Sequence, residues 1–256
     1  WAAFVGAHHL EGHSALAVAT MRAMQNALPP RRGERPKDDY VLYPAQIWAE
    51  EGRWEAVLGV VKEGLGEKEG KEGIGGLEKS VKNRTLAQTF QAAALFRLER
   101  YEEAAEAYKK LVLANGDSLE YHLGYMCALL GTLPSELAHA SSTLPPLSAA
   151  EQATLSSAYE TLAASLPYSR ACRRIPLCFA PESEAVAMLD LYVRKGLRKA
   201  VPSLHGELWA VPRLRPLLAS LLPSLISSLE STNTFPPLAG DTAAPAVRES
   251  PSVLFW

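Results

Sequence analysis

Apolar residues recur at i, i+3, i+4 and i+7 over long stretches of the chain, most plainly from Ala87 to Leu113, and two-residue alternation is rare. Ala, Leu and Glu fill these stretches and β-branched runs are scarce, so the pattern predicts an all-α protein. Helices with one apolar stripe cannot bury it alone and must pair. The pairing frame returns along the chain. Trp1, Phe4, Val5 and His8 open a first helix, Gly12 marks a turn, and Ala17 and Met21 lie on a second helix that Pro29 closes. The frame recurs as Trp48, Gly52, Trp54, Val57 and Val61, then as Leu95, Leu98, Tyr101, Ala104, Tyr108 and Leu111. A weaker fourth copy has Leu119, His122 and Leu123, followed by Leu155, Tyr159, Leu162 and Pro167.

This succession resembles the tetratricopeptide repeat, in which a small residue on the second helix lets two antiparallel helices approach closely and aromatic positions fill the gap to the next pair. The expected architecture is therefore a tetratricopeptide-like α-solenoid, a right-handed superhelix of helical hairpins. Positions 17, 57, 104 and 155 are separated by 40, 47 and 51 residues, against an ideal period of about 34. The excess must sit in loop inserts. Three are expected: a polar, Pro-rich one near 30–39, a Gly-rich one with alternating Lys and Glu near 64–76, and a Ser/Pro-rich one near 132–150.

Residues 1–167 thus hold about four degenerate hairpins. Residues 168–233 continue the solenoid as Pro-punctuated helices, Ser183 to Leu197, Val201 to Trp209 and Arg213 to Leu229. A Pro/Ala linker is expected over 234–252, and 253–256 resemble the start of a next repeat. The chain begins at Trp1 and ends at Phe255-Trp256 within apolar patterning, so an internal fragment of something larger is expected.

Composition narrows the function classes. Charged residues are 21% of the chain, 26 Lys and Arg stand against 28 Asp and Glu, and the net charge is −2. That balance gives no overall attraction to nucleic acid or to an acidic membrane, so no sequence-specific nucleic-acid binding is expected. The longest late apolar run, Leu217 to Leu229, is broken by serines and Pro223 and is too short to span a bilayer, so no membrane association is expected. Cys127, Cys172 and Cys178 form no Cys-x-x-Cys pair, which argues against a zinc ribbon or a disulfide framework and for a reducing compartment.

Candidate chemistry is sparse. His9 and His13 stand at i, i+4 beside His8 and Glu11, a spacing that would suit a metal on one helical face. Gly12, however, ends the helix before His13, and His8 fits a first-helix packing position, so no metal ligand set is expected. The stretch Gly66 to Glu72 superficially resembles a phosphate loop but is one residue short and has Glu72 where a hydroxyl should hold magnesium. Arg31, Arg32, Arg35 and Lys37 share one loop with Glu34, Asp38 and Asp39, which fits a solvated loop better than an RNA contact. No Gly-x-Ser-x-Gly occurs and no paired acids mark a general acid/base site, so no catalytic residues and no bound cofactor are expected.

Several segments together resemble the auxiliary subunit of the N-terminal acetyltransferase A complex. Leu77-Glu78-Lys79-Ser80-Val81 leading to Leu98 through Tyr108 is similar to that family's third repeat. Tyr159-Glu160 through Pro167, then Arg173-Arg174-Ile175-Pro176-Leu177, resembles its Tyr-Glu, Pro and Arg-Arg-Leu-Pro-Leu series. Lys199-Ala200-Val201-Pro202-Ser203-Leu204 resembles its Lys-Gly-x-Pro-Ser-hydrophobic motif. Pro44 inside a first helix, Ala200 in place of Gly, and the inserts depart from the pattern.

The resemblance implies a non-catalytic scaffold that binds the catalytic N-alpha-acetyltransferase, shapes its specificity for small first residues and anchors it to the ribosome in the cytoplasm. Acetyl-CoA then belongs to the partner, and an inositol polyphosphate to a part of the parent complex that matches no residue here. Arg173, Arg174 and Lys199 are candidate partner contacts, although cations beside Pro176 and Pro202 better suit the capping of helix C-termini. The alternative is a generic tetratricopeptide adaptor for protein-protein interaction.

Overall fold

The computed structural model describes residues 2–27, 38–65, 83–132, 147–198, 201, 203–232, 234–235 and 247–248. Positions 30–37, 66–76 and 133–146 of the expected inserts and the terminal 253–256 lie outside the described residues. The described chain is helical almost throughout, as the spacing predicts. It divides into two compact units, one formed by residues 1–115 with 120–131, the other by 116–119 with 132–256.

In the first unit α1 (Ala2–Leu10) packs on α2 (Ser14–Ala27), α3 (Asp39–Glu50) on α4 (Trp54–Leu65), and α5 (Arg84–Arg97) on α6 (Tyr101–Ala114). Neighbouring pairs are joined by contacts of α2 with α3 and of α4 with α5. α7 (Leu119–Leu130) lies against α6, with Gly131 facing the Tyr101 ring.

One backbone device turns all three hairpins. Gly12, Gly52 and Glu99 adopt φ of +79°, +72° and +60°. In each, the next amide reaches five residues back: His13 N to His8 O and Arg53 N to Trp48 O at 2.8 Å, and Arg100 N to Leu95 O at 3.0 Å. The residue in the left-handed region also donates to the carbonyl three residues earlier, completing a Schellman cap. Five residues beyond each cap stand Ala17, Val57 and Ala104, and all three are completely buried, as is Leu155. Phe4, by contrast, is 60% exposed where the repeat pattern expects a packed aromatic.

Pro44 sits buried inside α3, where it removes one backbone hydrogen bond without breaking the helix. The insert boundaries shift slightly. Gly64 and Leu65 are the buried last residues of α4, and Ala149 and Ala150 open α8 (Ala149–Ser165). Ser148 sets that start through a reciprocal capping box with Glu151.

The second unit comprises α8, the short α9 (Ala171–Arg174) running into a 3-10 turn (Ile175–Cys178), α10 (Glu182–Arg198), α11 (Leu204–Trp209) and α12 (Leu214–Thr232). Its core gathers Leu177, Leu189, Leu204, Leu208, Leu214 and Leu225. α11 begins three residues later than the sequence pattern suggests; Pro202 disfavours helical backbone at Val201, where that pattern starts. Within 234–252, expected as linker, Thr234–Phe235 and Val247–Arg248 pair antiparallel, with residues of high β-propensity at both ends.

Candidate functional site: a groove and its ionic frame

The expected contact residues Arg173 and Arg174 lie on α9, a helix too short to hold itself. Its start is held from a distance in sequence. Asp117 Oδ1 accepts from the backbone amides of Arg170 at 2.8 Å and Ala171 at 3.1 Å. The Ser169 hydroxyl lies 2.6 Å from the Gly116 carbonyl oxygen and 3.0 Å from Asp117 Oδ1, and accepts from the Cys172 amide at 3.1 Å. Partial burial works against the Asp117 charge, but the amides of Ala171 and Arg170 and the Ser169 hydroxyl more than offset it, so the carboxyl titrates below its ordinary value.

Downstream, Glu207 on α11 gathers the cations. Arg170 Nη2 donates to its two carboxylate oxygens at 2.9 and 3.0 Å, Ser203 Oγ donates at 2.6 Å, and Arg174 Nη1 stands 4.0 Å away. Arg174 Nη2 also reaches the Glu207 carbonyl at 3.5 Å. Burial raises the Tyr192 phenol, and the Glu207 charge beside it adds to the rise, with Arg170 opposing. Arg173 donates to the Pro167 carbonyl just past α8, and Arg213 donates to the carbonyls of Cys178 and Ala180. Arg173 thus serves a carbonyl just past the end of α8, and Arg174 one in the last turn of α11. Lys199 lies outside the described residues, as do Arg31, Arg32, Arg35, Lys37 and the Gly66 to Glu72 stretch.

Beside this frame is a groove of about 270 Å³. Tyr159, Pro176, Met188, Leu191 and Leu204 give it apolar walls, and Glu160, Arg170, Arg173, Glu184 and Lys195 add charges of both signs. Leu191 is 39% exposed and Tyr168, which also lines it, 88%. Cys172 is buried and Cys178 partly so, and burial pushes both thiols above their ordinary range; Cys127, buried in the first unit, is pushed up to about 12. These thiols pack rather than react.

In the first unit the histidines separate at Gly12, as expected from the sequence. His9 bonds through Nδ1 to the Tyr43 hydroxyl and through Nε2 to Glu50, both at 2.9 Å, and so ties α1 to α3. Gln46 and His9 together hold the Glu50 carboxyl below its ordinary value. The pair His9 and His13 is thus not a shared-face pair. The Schellman turn instead folds His13 back over His8, with ring centroids 6.3 Å apart.

Arg170, Glu207, Ser169 and Asp117 were not singled out by sequence reasoning. Their local signals are ordinary, a Gly-Asp turn and a Ser two residues before a helix, and their partners lie 33 to 54 residues away.

In the second unit, ionic side chains hold helices to one another beside a groove with apolar walls. The chain belongs to the family described as N-terminal acetyltransferase A, auxiliary subunit, whose model matches residues 37–256. Among curated relatives, the N-terminal acetyltransferase A complex auxiliary subunit NAA15 of Arabidopsis thaliana is 26% identical over all of this chain. The human N-alpha-acetyltransferase 16, NatA auxiliary subunit, is 22% identical, again over the full chain. The chain spans about a quarter of the length of these relatives, 26% in each case. A solved structure of Naa15/Naa10 bound to HypK-THB shares the fold with a TM-score of 0.64 and 24% identity, covering 89% of this chain and 31% of that one. The relatives are named auxiliary rather than catalytic subunits, and the helical solenoid expected from the sequence is the fold found.

Proposed function

We propose that this chain is part of a non-catalytic scaffold that binds a catalytic N-alpha-acetyltransferase, shapes its preference for small first residues, and anchors it to the ribosome in the cytoplasm for co-translational acetylation. The observation that carries the proposal is the family match across residues 37–256, reinforced by relatives alignable over the whole chain that are named as auxiliary subunits of that complex. The structural neighbour contains Naa15 together with Naa10, which supports a protein partner of the same kind here.

The architecture suits the role physically. Stacked hairpins present an extended surface whose side chains sit on rigid helices, so a partner is bound at small ordering cost. Acetyl-CoA is then the partner's substrate, and any inositol polyphosphate belongs to the larger assembly. Of the three cations proposed as partner contacts, Arg173 has the best support because it lines the apolar groove; Arg174 serves Glu207, and Lys199 is assigned on its motif alone.

The testing experiment is affinity purification of the full-length protein from its own cells, with mass spectrometry of what accompanies it. A small acetyltransferase with ribosomal proteins is expected. Chaperones or unrelated proteins in their place would favour the generic tetratricopeptide adaptor.

A further inference from the structure

The turn between α1 and α2 gathers a ligand set that the sequence spacing conceals. A ring nitrogen of His8, a ring nitrogen of His13 and a carboxylate oxygen of Glu11 all lie within 4.8 Å of one another. The convergence is a product of the Schellman cap. Gly12 at φ +79° reverses the chain, and the His13 amide bonds the His8 carbonyl at 2.8 Å, so two side chains five positions apart face each other across the turn.

We propose that His8, Glu11 and His13 form a binding site for a divalent transition-metal ion, with zinc the expected occupant. Two imidazoles and a carboxylate are the donor set that borderline cations such as zinc prefer over magnesium or calcium, which select oxygen. Zinc holds such donors at about 2.0–2.2 Å, so tetrahedral ligand atoms sit roughly 3.3 Å apart. His13 Nδ1 and Glu11 Oε2 are already 3.5 Å apart. The side chains of Glu11 and His13 are more than half exposed and free to close the remaining gap by small rotations.

His8 is the fixed member. Its ring stands edge-on to Phe4 with centroids 4.8 Å apart. Its Nδ1 is enclosed and has no hydrogen-bond partner. A buried polar atom without a partner is costly, and an ion bound at this turn would relieve that cost. The neighbouring His9 does not compete, since Tyr43 and Glu50 occupy both its nitrogens. The exposed side chains of Glu11 and His13 leave the site open to solvent, so water would complete the coordination shell. Bound there, the ion would clamp the first hairpin by joining the end of α1 to the start of α2.

The test is calorimetric titration of the chelator-treated full-length protein with zinc chloride, comparing the wild type with His13→Gln and His9→Gln. His13 is exposed, so its replacement leaves folding intact, which melting in chelator would verify. The expected result is a site of one zinc per chain whose affinity falls at least about tenfold in His13→Gln and is unchanged in His9→Gln. A second readout is the visible absorption of added cobalt(II), present in the wild type and absent in His13→Gln. Equal zinc binding by the wild type and His13→Gln, or an equal loss in His9→Gln, overturns the assignment.

Discussion

Gly124 on α7 and Tyr108 on α6 approach so closely that a Cβ at position 124 would meet Tyr108 Cε1 at 2.3 Å. Burial at this contact also pushes the Tyr108 phenol up to about 12. The contact sets how near the two helices lie. Gly124→Ala therefore displaces the ring, and overpacking of this kind costs about 1–3 kcal/mol. Gly59, exposed on α4 with nothing within 4 Å of its Cβ direction, gives the opposite sign. Gly59→Ala should stabilise by about 0.5–1 kcal/mol through helix propensity. Thermal melts of the two variants read both changes, and equal shifts would contradict the packing described.

Glu99 occupies the turn position that Gly12 and Gly52 hold in the other hairpins, at φ +60°. A non-glycine residue in the left-handed region is strained by about 1–2 kcal/mol. Glu99→Gly should relieve most of that and raise the melting temperature by a few degrees, whereas Gly52→Ala should lower it. Denaturant titration would check both, with the change expected in the midpoint rather than the slope.

Ala104 is completely buried on α6, which packs against α5. Ala104→Glu forces a carboxylate into that contact and should cost several kcal/mol, on the order of 3–5. An unchanged melting temperature would remove Ala104 from the helix-pairing position.

Asp117 predicts a pH dependence. Its carboxyl titrates below the ordinary value of 3.8 in the folded protein, so the unfolded chain binds the proton more readily. The resulting stability is fully present above the unfolded value and disappears as pH falls through the folded one. Asp117→Asn should lose stability at neutral pH and show a shallower decline than the wild type between about pH 5 and 2. Melting temperatures across that range, compared between the two proteins, measure the difference.

The register of the first unit was legible because small and apolar side chains at 17, 57 and 104 repeat at a fixed distance from the turns, and burial follows size and spacing. The family was legible because Arg173-Arg174-Ile175-Pro176-Leu177 and its neighbours form motifs that pairing geometry alone does not require. Glu99 escaped notice as a turn residue, since a glutamate carries no sequence signal for positive φ. The same is true of the site residues. Glu207 meets Arg170 and Arg174 only because α9 and α11 fold together, and His13 meets His8 only because a cap reverses the chain. Periodicity places residues on faces; it does not report which faces meet across thirty or more residues.

Reconstitution measures the scaffold role itself. Full-length protein would be mixed with the catalytic acetyltransferase of the same organism, and acetyl transfer measured on peptides beginning with Ser, Ala or Thr and on peptides beginning with an acidic residue. A scaffold gives a stable complex and a shift in kcat/KM toward the small first residues relative to the catalytic subunit alone. Catalytic subunit that neither co-elutes with the protein nor changes its preference would contradict it.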